Sequence, residues 1–424
     1  MIPRHACEHL RIDLGRQQWH HKILTGEGVH YDLLCPVCAK GEPVWSEVSD
    51  NEFLEIEKNG WCGGISGQPE IKRTPSGQSF LHDIVQQDGL DASKVKAIVP
   101  LYEGWLALMA TGELLELDFA SGTRRHIAVL TDAIDLALNL GLCASEDGCF
   151  VAAFESRGIK GVVLERITGK RCLTLTRDAH DVEITPFPVA FFAYLNRPLL
   201  VHATDWNRLD ISDPQTGELL TQRGPTSYKQ GEPRPEHYLD YFHGALYPSP
   251  DGAWIADDGW VWHPIGAVNW WSVTRWLSEN VWESEDVEPT DCFRAYFWGG
   301  PICWIDNKTL AVWGYGNDAD WLLPAIRLFD VPTNKELRWF PGPQTSRDKE
   351  AFWEPKVPFH NGWMVYDEFL FACSIEHGVS VWDVASGAWL CEDASFYPAA
   401  YQRSTKTFLT LRPDCAFQLS HLKT

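Results

Sequence analysis

Two close pairs of soft metal-binding side chains stand near the start of the sequence, Cys7-Glu8-His9 and Cys35-Pro36-Val37-Cys38, with residues 10 to 34 between them. Cys-x-x-Cys on a tight turn aims two thiolates at one ion, and a second close pair completes a tetrahedron of the kind Zn²⁺ prefers. The set Cys7, His9, Cys35 and Cys38 therefore predicts one zinc ion. With four protein ligands and no open position, such a site is structural rather than catalytic. His20, His21 and His30 are alternatives to His9 as the fourth ligand. Two other readings stand beside zinc: a redox Cys35/Cys38 pair, or no joint site. A redox pair begins a helix after a strand, whereas Pro36 and the run Lys40-Gly41-Glu42-Pro43 favour a turn.

The string LLCPVCAKG (33 to 41) resembles one knuckle of a zinc ribbon. A second unusual stretch, residues 240 to 271, holds Trp254, Trp260, Trp262, Trp270 and Trp271. Exposed tryptophans stack on sugars, bases or cations, so a small-molecule ligand platform at Trp260 and Trp262 is one reading. Residues two apart share one face of a strand, and large aromatics fill the space between packed sheets, so core packing is the reading preferred. Asp257 and Asp258 are expected at a turn or on a solvent face. His243 and Arg294 are candidates to line a central channel. No Gly-x-Ser-x-Gly, phosphate-binding glycine loop or His-Glu-x-x-His is present, and no catalytic residue is assigned.

The chain has 424 residues, 45% hydrophobic and 22% charged, which is a globular balance. No uninterrupted apolar run of about 18 residues occurs, so no membrane span is expected. The first ten residues contain Arg4, His5, Glu8 and His9 and lack the apolar stretch of a secretory signal, which points to the cytoplasm. The net charge of −22 argues against nucleic acid and anionic lipid as partners. The cysteines outside the metal set, such as Cys143, Cys303 and Cys373, lie in apolar surroundings and read as reduced core residues.

The elements that would hold these residues repeat. A polar turn recurs at Tyr102 to Gly104, Ser145 to Gly148, Asn196 to Pro198, Ser249 to Gly252, Asp306 to Lys308, Asp367 to Glu368 and Ser404 to Lys406. Each is followed by a strand-length apolar run: Trp105 to Met109, Cys149 to Phe154, Leu199 to Ala203, Ala253 to Ala256, Thr309 to Trp313, Phe369 to Cys373 and Thr407 to Leu411. Alternating third strands end in a second turn, as in VSVWDVASG (379 to 387), and a fourth strand follows. Four strands per roughly 50 residues, repeated radially, predict an all-β, seven-bladed propeller. The last unit ends without its fourth strand, and residues 74 to 85 look like one without neighbours, so the N-terminal side is expected to close the ring. The domains are then 1–42, a Cys/His zinc knuckle, and 43–424, the propeller. An eight-bladed ring that uses residues 44 to 66 is the alternative.

SPDGAWIA (249 to 256) and VSVWDVASG resemble the turn and third strand of the WD-repeat β-propeller family, over about residues 75 to 424. Only Trp382-Asp383 supplies that family's Trp-Asp pair, and its Gly-His pair is absent, so the likeness is to the wider superfamily. The resemblance implies a central channel and loop-built binding faces. The expected function is a protein-interaction module or scaffold with a protein partner. Two alternatives are an enzyme in the central funnel acting on a carbohydrate or other small polar substrate, and an acidic neutralising partner of a basic protein.

Overall fold

The structure is a computed structural model. It describes residues 71–423 except 230, 262–264, 287–289, 291, 296–297, 316–322, 344–361 and 376, together with the strands Lys22–Thr25, Gly28–Leu34 and Trp45–Val48, which form a three-stranded sheet. Cys7, His9, Cys35 and Cys38 lie outside the described residues, as does Trp262.

Seven further antiparallel sheets form the blades of a propeller. Blade 1 comprises Val95–Pro100, Trp105–Met109, Glu113–Asp118 and Thr123–Val129, and blade 2 comprises Leu140–Ala144, Phe150–Glu155, Lys160–Glu165 and Arg171–Thr176. Blade 3 holds Val189–Tyr194, Arg197–Asp205 and Arg208–Ser212. Blade 4 holds Phe242–Pro248, Trp254–Val261, Ile265–Ser272 and Phe293–Ala295. Blade 5 runs through Ile302–Trp304, Thr309–Tyr315, Leu323–Asp330 and Lys335–Pro341, and blade 6 through Trp363–Asp367, Phe369–Ser374, Gly378–Asp383 and Ala388–Asp393. Blade 7 takes Ala400–Gln402, Thr407–Leu411 and Phe417–Lys423 from the C-terminal end and Ser79–Val85 from the other side of the ring.

The closing strand pairs in full register, from Ser79 opposite Lys423 to Val85 opposite Phe417. Every exposed edge in a sheet is a row of unmade hydrogen bonds, and this strand covers the one that an unclosed ring would leave. His82 reinforces it: Nδ1 lies 2.8 Å from Ser420 Oγ, and Nε2 lies 3.0 Å from Asp393 Oδ2 on the outer strand of blade 6. Just before it, Thr74 N–H donates to Trp389 O at 2.9 Å, and the Arg73 guanidinium sits over the Trp389 ring.

Second strands are buried throughout in blade 1 and nearly so in blades 2 and 6, because both of their faces pack against neighbouring blades. The result is a series of apolar wedges rather than one core. One gathers Leu106, Leu108, Val151 and Leu164 between blades 1 and 2. Another gathers Leu200, Ile211, Ile255 and Trp271 between blades 3 and 4.

The recurring turns have a physical basis. In Ser249-Pro250-Asp251-Gly252, Ser249 Oγ donates to Asp251 Oδ1 and accepts from Trp254 N–H, while Gly252 N–H returns to Ser249 O. Ser145, Asp147, Gly148 and Phe150 repeat these bonds in blade 2. Gly252 is obligatory, since its φ is +68° and a Cβ there would lie 1.9 Å from Ala193 O. Asp383 of the Trp-Asp pair accepts from Ala385 and Ser386 N–H and so folds the chain into the outer strand.

Blade 3 departs from the expected four strands. After Gly217, among the described residues, the sheet is extended by the bridge of Ser212 with Leu219 and by Leu220 N–H donating to Ile211 O at 2.8 Å, and no fourth strand forms. The following segment carries Pro225, Pro233 and Pro235, which cannot donate to a ladder. Side chains substitute for the missing strand: Thr221 Oγ1 accepts from Ile211 N–H at 2.9 Å, and the Arg223 guanidinium donates to Leu209 O at 2.8 Å. A short helix, α1 (Val273–Ser278), capped by Ser272, is also not foreseen by the strand pattern.

Candidate functional site

The polar chemistry of the described residues concentrates where blades 3 and 4 meet. Antiparallel pairing sets Asp257 opposite Asn269 and Asp258 opposite Val268 inside blade 4. Asp257 is 0% and Asp258 1% exposed, which corrects the expectation of a turn or solvent face. Period two explains it: Asp257 falls on the same strand face as Ile255, which is locked into the wedge.

His243 lies in the innermost strand of blade 4, and it is 1% exposed. Its Nδ1 lies 2.6 Å from Asp257 Oδ2, while Asp257 Oδ1 accepts from Gly244 N–H at 2.8 Å. The imidazole thus faces a carboxylate inside the blade instead of an open channel. Arg294 occupies the outer strand of this same blade, opposite Gly266. Trp260 is 3% exposed, stacks on Phe242 at 4.2 Å and on Trp298 at 5.2 Å, and donates from Nε1 to Thr185 Oγ1 at 3.0 Å. Its place is in the packing.

Tyr241 completes the inner set. Its hydroxyl donates to Ala267 O at 3.1 Å and accepts from Gly259 N–H at 2.9 Å. Burial, and the nearby Asp257 and Asp258, push its phenol well above the usual range. Sequence reasoning missed the second half of the network, which is ionic. Arg223, with its side chain 1% exposed, donates to Asp210 Oδ1 at 2.6 Å and to Glu285 through both Nε and Nη2. Arg208 donates to the other Asp210 oxygen at 2.7 Å. Burial pushes the Glu285 carboxyl up, against the opposing pull of Arg223. Burial likewise opposes ionisation of Asp210, yet hydrogen bonds from Arg208 and Thr204 and the charge of Arg223 hold its carboxyl below the usual range. No local motif marks this set, because Asp210, Arg223 and Glu285 come from three separate segments.

These groups are closed to solvent, and the Arg223 pairs tie blade 3 to the segment that follows α1, while His243 Nε2 is buried and makes no hydrogen bond to a described residue. Among the described residues no group of three metal-binding side chains occurs. A concavity of about 550 Å³ between the first turns of blades 4 and 5, bordered by Pro250, Asp306, Lys308 and Asp330, is shallow and open.

With seven radial sheets, shared closure of the last blade and the Asp383 turn in place, the architecture is decided. The chain has the seven-bladed β-propeller fold. Among solved structures, it is similar to the WD40 repeats of RRP9, at 12% identity over 84% of this chain and 100% of that one, with a TM-score of 0.50. It is similar also to a chain of the mitotic checkpoint complex, at 11% identity over 85% of this chain and 96% of that one, again with a TM-score of 0.50. No protein-family profile matches the sequence, and no curated protein does. Likeness at this level of identity carries the fold and not an activity. Among the described residues, no helix is long and apolar enough to cross a membrane.

Proposed function

We propose that this propeller is a protein-interaction scaffold that receives a segment of a partner protein on a loop-built face of the ring. One observation carries the reading: the titratable groups that the fold gathers are sealed between blades 3 and 4, while aromatic and charged side chains crop out on the loops above them. A funnel enzyme needs the opposite distribution, with carboxylates open to the channel. The −22 charge disfavours nucleic acid and favours partner segments that carry positive charge. The N-terminal Cys7, His9, Cys35 and Cys38 add a structural zinc that staples the residues ahead of the ring.

The test is chemical cross-linking of the full chain in its native cell, followed by reconstitution of each captured protein with the purified chain. A stoichiometric complex on size exclusion is the expected result. Recovery of the chain without any protein that reconstitutes, together with turnover of a small polar substrate, would overturn the reading.

A further inference from the structure

The end of the ring built from the blade-to-blade loops carries a continuous aromatic ridge. His180, in the loop from blade 2 to blade 3, lies 5.4 Å from Trp206 in the turn between the second and third strands of blade 3. Trp206 lies 6.2 Å from Tyr238, and Tyr238 lies 5.2 Å from Tyr228, both in the connection from blade 3 to blade 4. The buried stack of Phe242 and Trp260 supports the ridge from below, with Phe242 4.6 Å from Trp206. The outer rings stay accessible: Tyr228 is 43% exposed, His180 is exposed, and Trp206 and Tyr238 are half-buried.

Acidic groups flank it. Asp178 and Asp240 are exposed, and Asp205 and Asp181 adjoin Trp206 and His180 in the chain. Asp181 Oδ2 makes no hydrogen bond to a described residue and lies 3.6 Å from His180 Nε2, so it adds negative charge beside the His180 ring. One cation already uses the surface: the Arg234 guanidinium lies 4.4 Å from the centre of the Tyr238 ring. Aromatic faces attract cations, and planar guanidinium stacks on them better than a compact ammonium does.

We infer that this ridge docks an arginine-bearing segment of a partner protein, with Arg234 holding one ring face until the partner displaces it. The inference deepens the scaffold reading and rests on it. The probe is a fluorescent arginine octapeptide titrated against the full chain by anisotropy, with lysine and glutamate octapeptides alongside. Arginine peptide binds tightest. Tyr228→Ala and the ring-removing but apolar Tyr238→Leu each weaken it about two- to five-fold. Arg234→Ala tightens it by more than the charge-matched Lys335→Ala on blade 5. Equal binding of arginine and lysine peptides, tyrosine variants that bind like the parent chain, or equal effects of the Arg234 and Lys335 variants would overturn the site. A reconstituted partner that cross-links elsewhere on the ring removes this site and leaves the scaffold standing, whereas absence of any partner removes the scaffold whatever the peptides do.

Discussion

Arg223→Met tests whether a side chain stands in for the missing strand of blade 3. The replacement keeps an apolar stem and removes a guanidinium that bonds Asp210 Oδ1 at 2.6 Å, Leu209 O at 2.8 Å, Thr221 O at 2.9 Å and Glu285 Oε2 at 3.1 Å. Asp210 retains Arg208 and Thr221, so its loss is partial. Glu285 loses its cation while its side chain remains 1% exposed. Removing one member of a buried ion pair costs about 3–5 kcal/mol, most of it the desolvation of the charge left behind.

The pH dependence has a definite sign. Burial has already raised the Glu285 carboxyl in the native fold, and without Arg223 it rises further. A carboxyl with a raised folded pKa binds protons more readily folded than unfolded, so stability is fully present below the unfolded value and is lost as pH climbs through the folded one. Urea unfolding followed by tryptophan fluorescence should therefore show the loss of about 3–5 kcal/mol at about pH 8 and a smaller one at about pH 5. Arg223→Met/Glu285→Gln should remove that pH dependence. A single variant that unfolds at the parental urea concentration, or whose deficit grows toward acid, would refute the reasoning.

Deleting residues 74–85 removes the closing strand and exposes the edge of Phe417–Lys423, so light scattering should report oligomers where the full chain is monodisperse. In Gly244→Ala the new Cβ would sit 1.9 Å from Asp258 O, between two paired strands with nowhere to move, and thermal unfolding should show a loss of roughly 3 kcal/mol or more. Gly77→Ala, at φ +73° in open space, should cost only about 1 kcal/mol. Elemental analysis of the reduced full chain should find about one zinc, absent after Cys35→Ser/Cys38→Ser; metal retained in that variant would disprove the ligand set.

What was legible in the sequence was whatever repeats. Trp105–Met109 and Thr407–Leu411 are strands over the same residues that their apolar runs mark, and the closing strand falls within residues 74 to 85. Each is bounded by turn residues whose hydrogen bonds are local, so neighbouring letters suffice. In blade 3 the same reasoning is one step out. The hairpin turns at Leu195–Asn196, both at positive φ, and Pro198 is inside the following strand opposite Ala193. The proline signals a turn in sequence, but the two-residue loop is set by the pairing of Tyr194 with Arg197.

The candidate site was legible only as far as it is local. The Trp260 packing followed from strand period and residue size, but Asp257 and Asp258 were read by residue type, which favours turns, instead of by their place in the strand. Within Trp254–Val261, Asp257 follows Ile255 on one face and Asp258 follows Ala256 on the other, and because both apolar residues are fully buried the carboxylates are carried inside with them. A buried carboxylate persists only with donors in reach, and His243 Nδ1 and Gly244 N–H on the adjacent inner strand lie within hydrogen-bond distance of Asp257. Where the repeat is broken, at the three-stranded blade, the fold substitutes charge for backbone pairing: Arg223 ties Leu209 and Asp210 to Glu285 beyond α1. That substitution frees the long connection between blades 3 and 4 from sheet pairing. Tyr228, Arg234 and Tyr238 can then stand on the ring's face, where the irregular blade and the accessible ridge are consequences of the same missing strand.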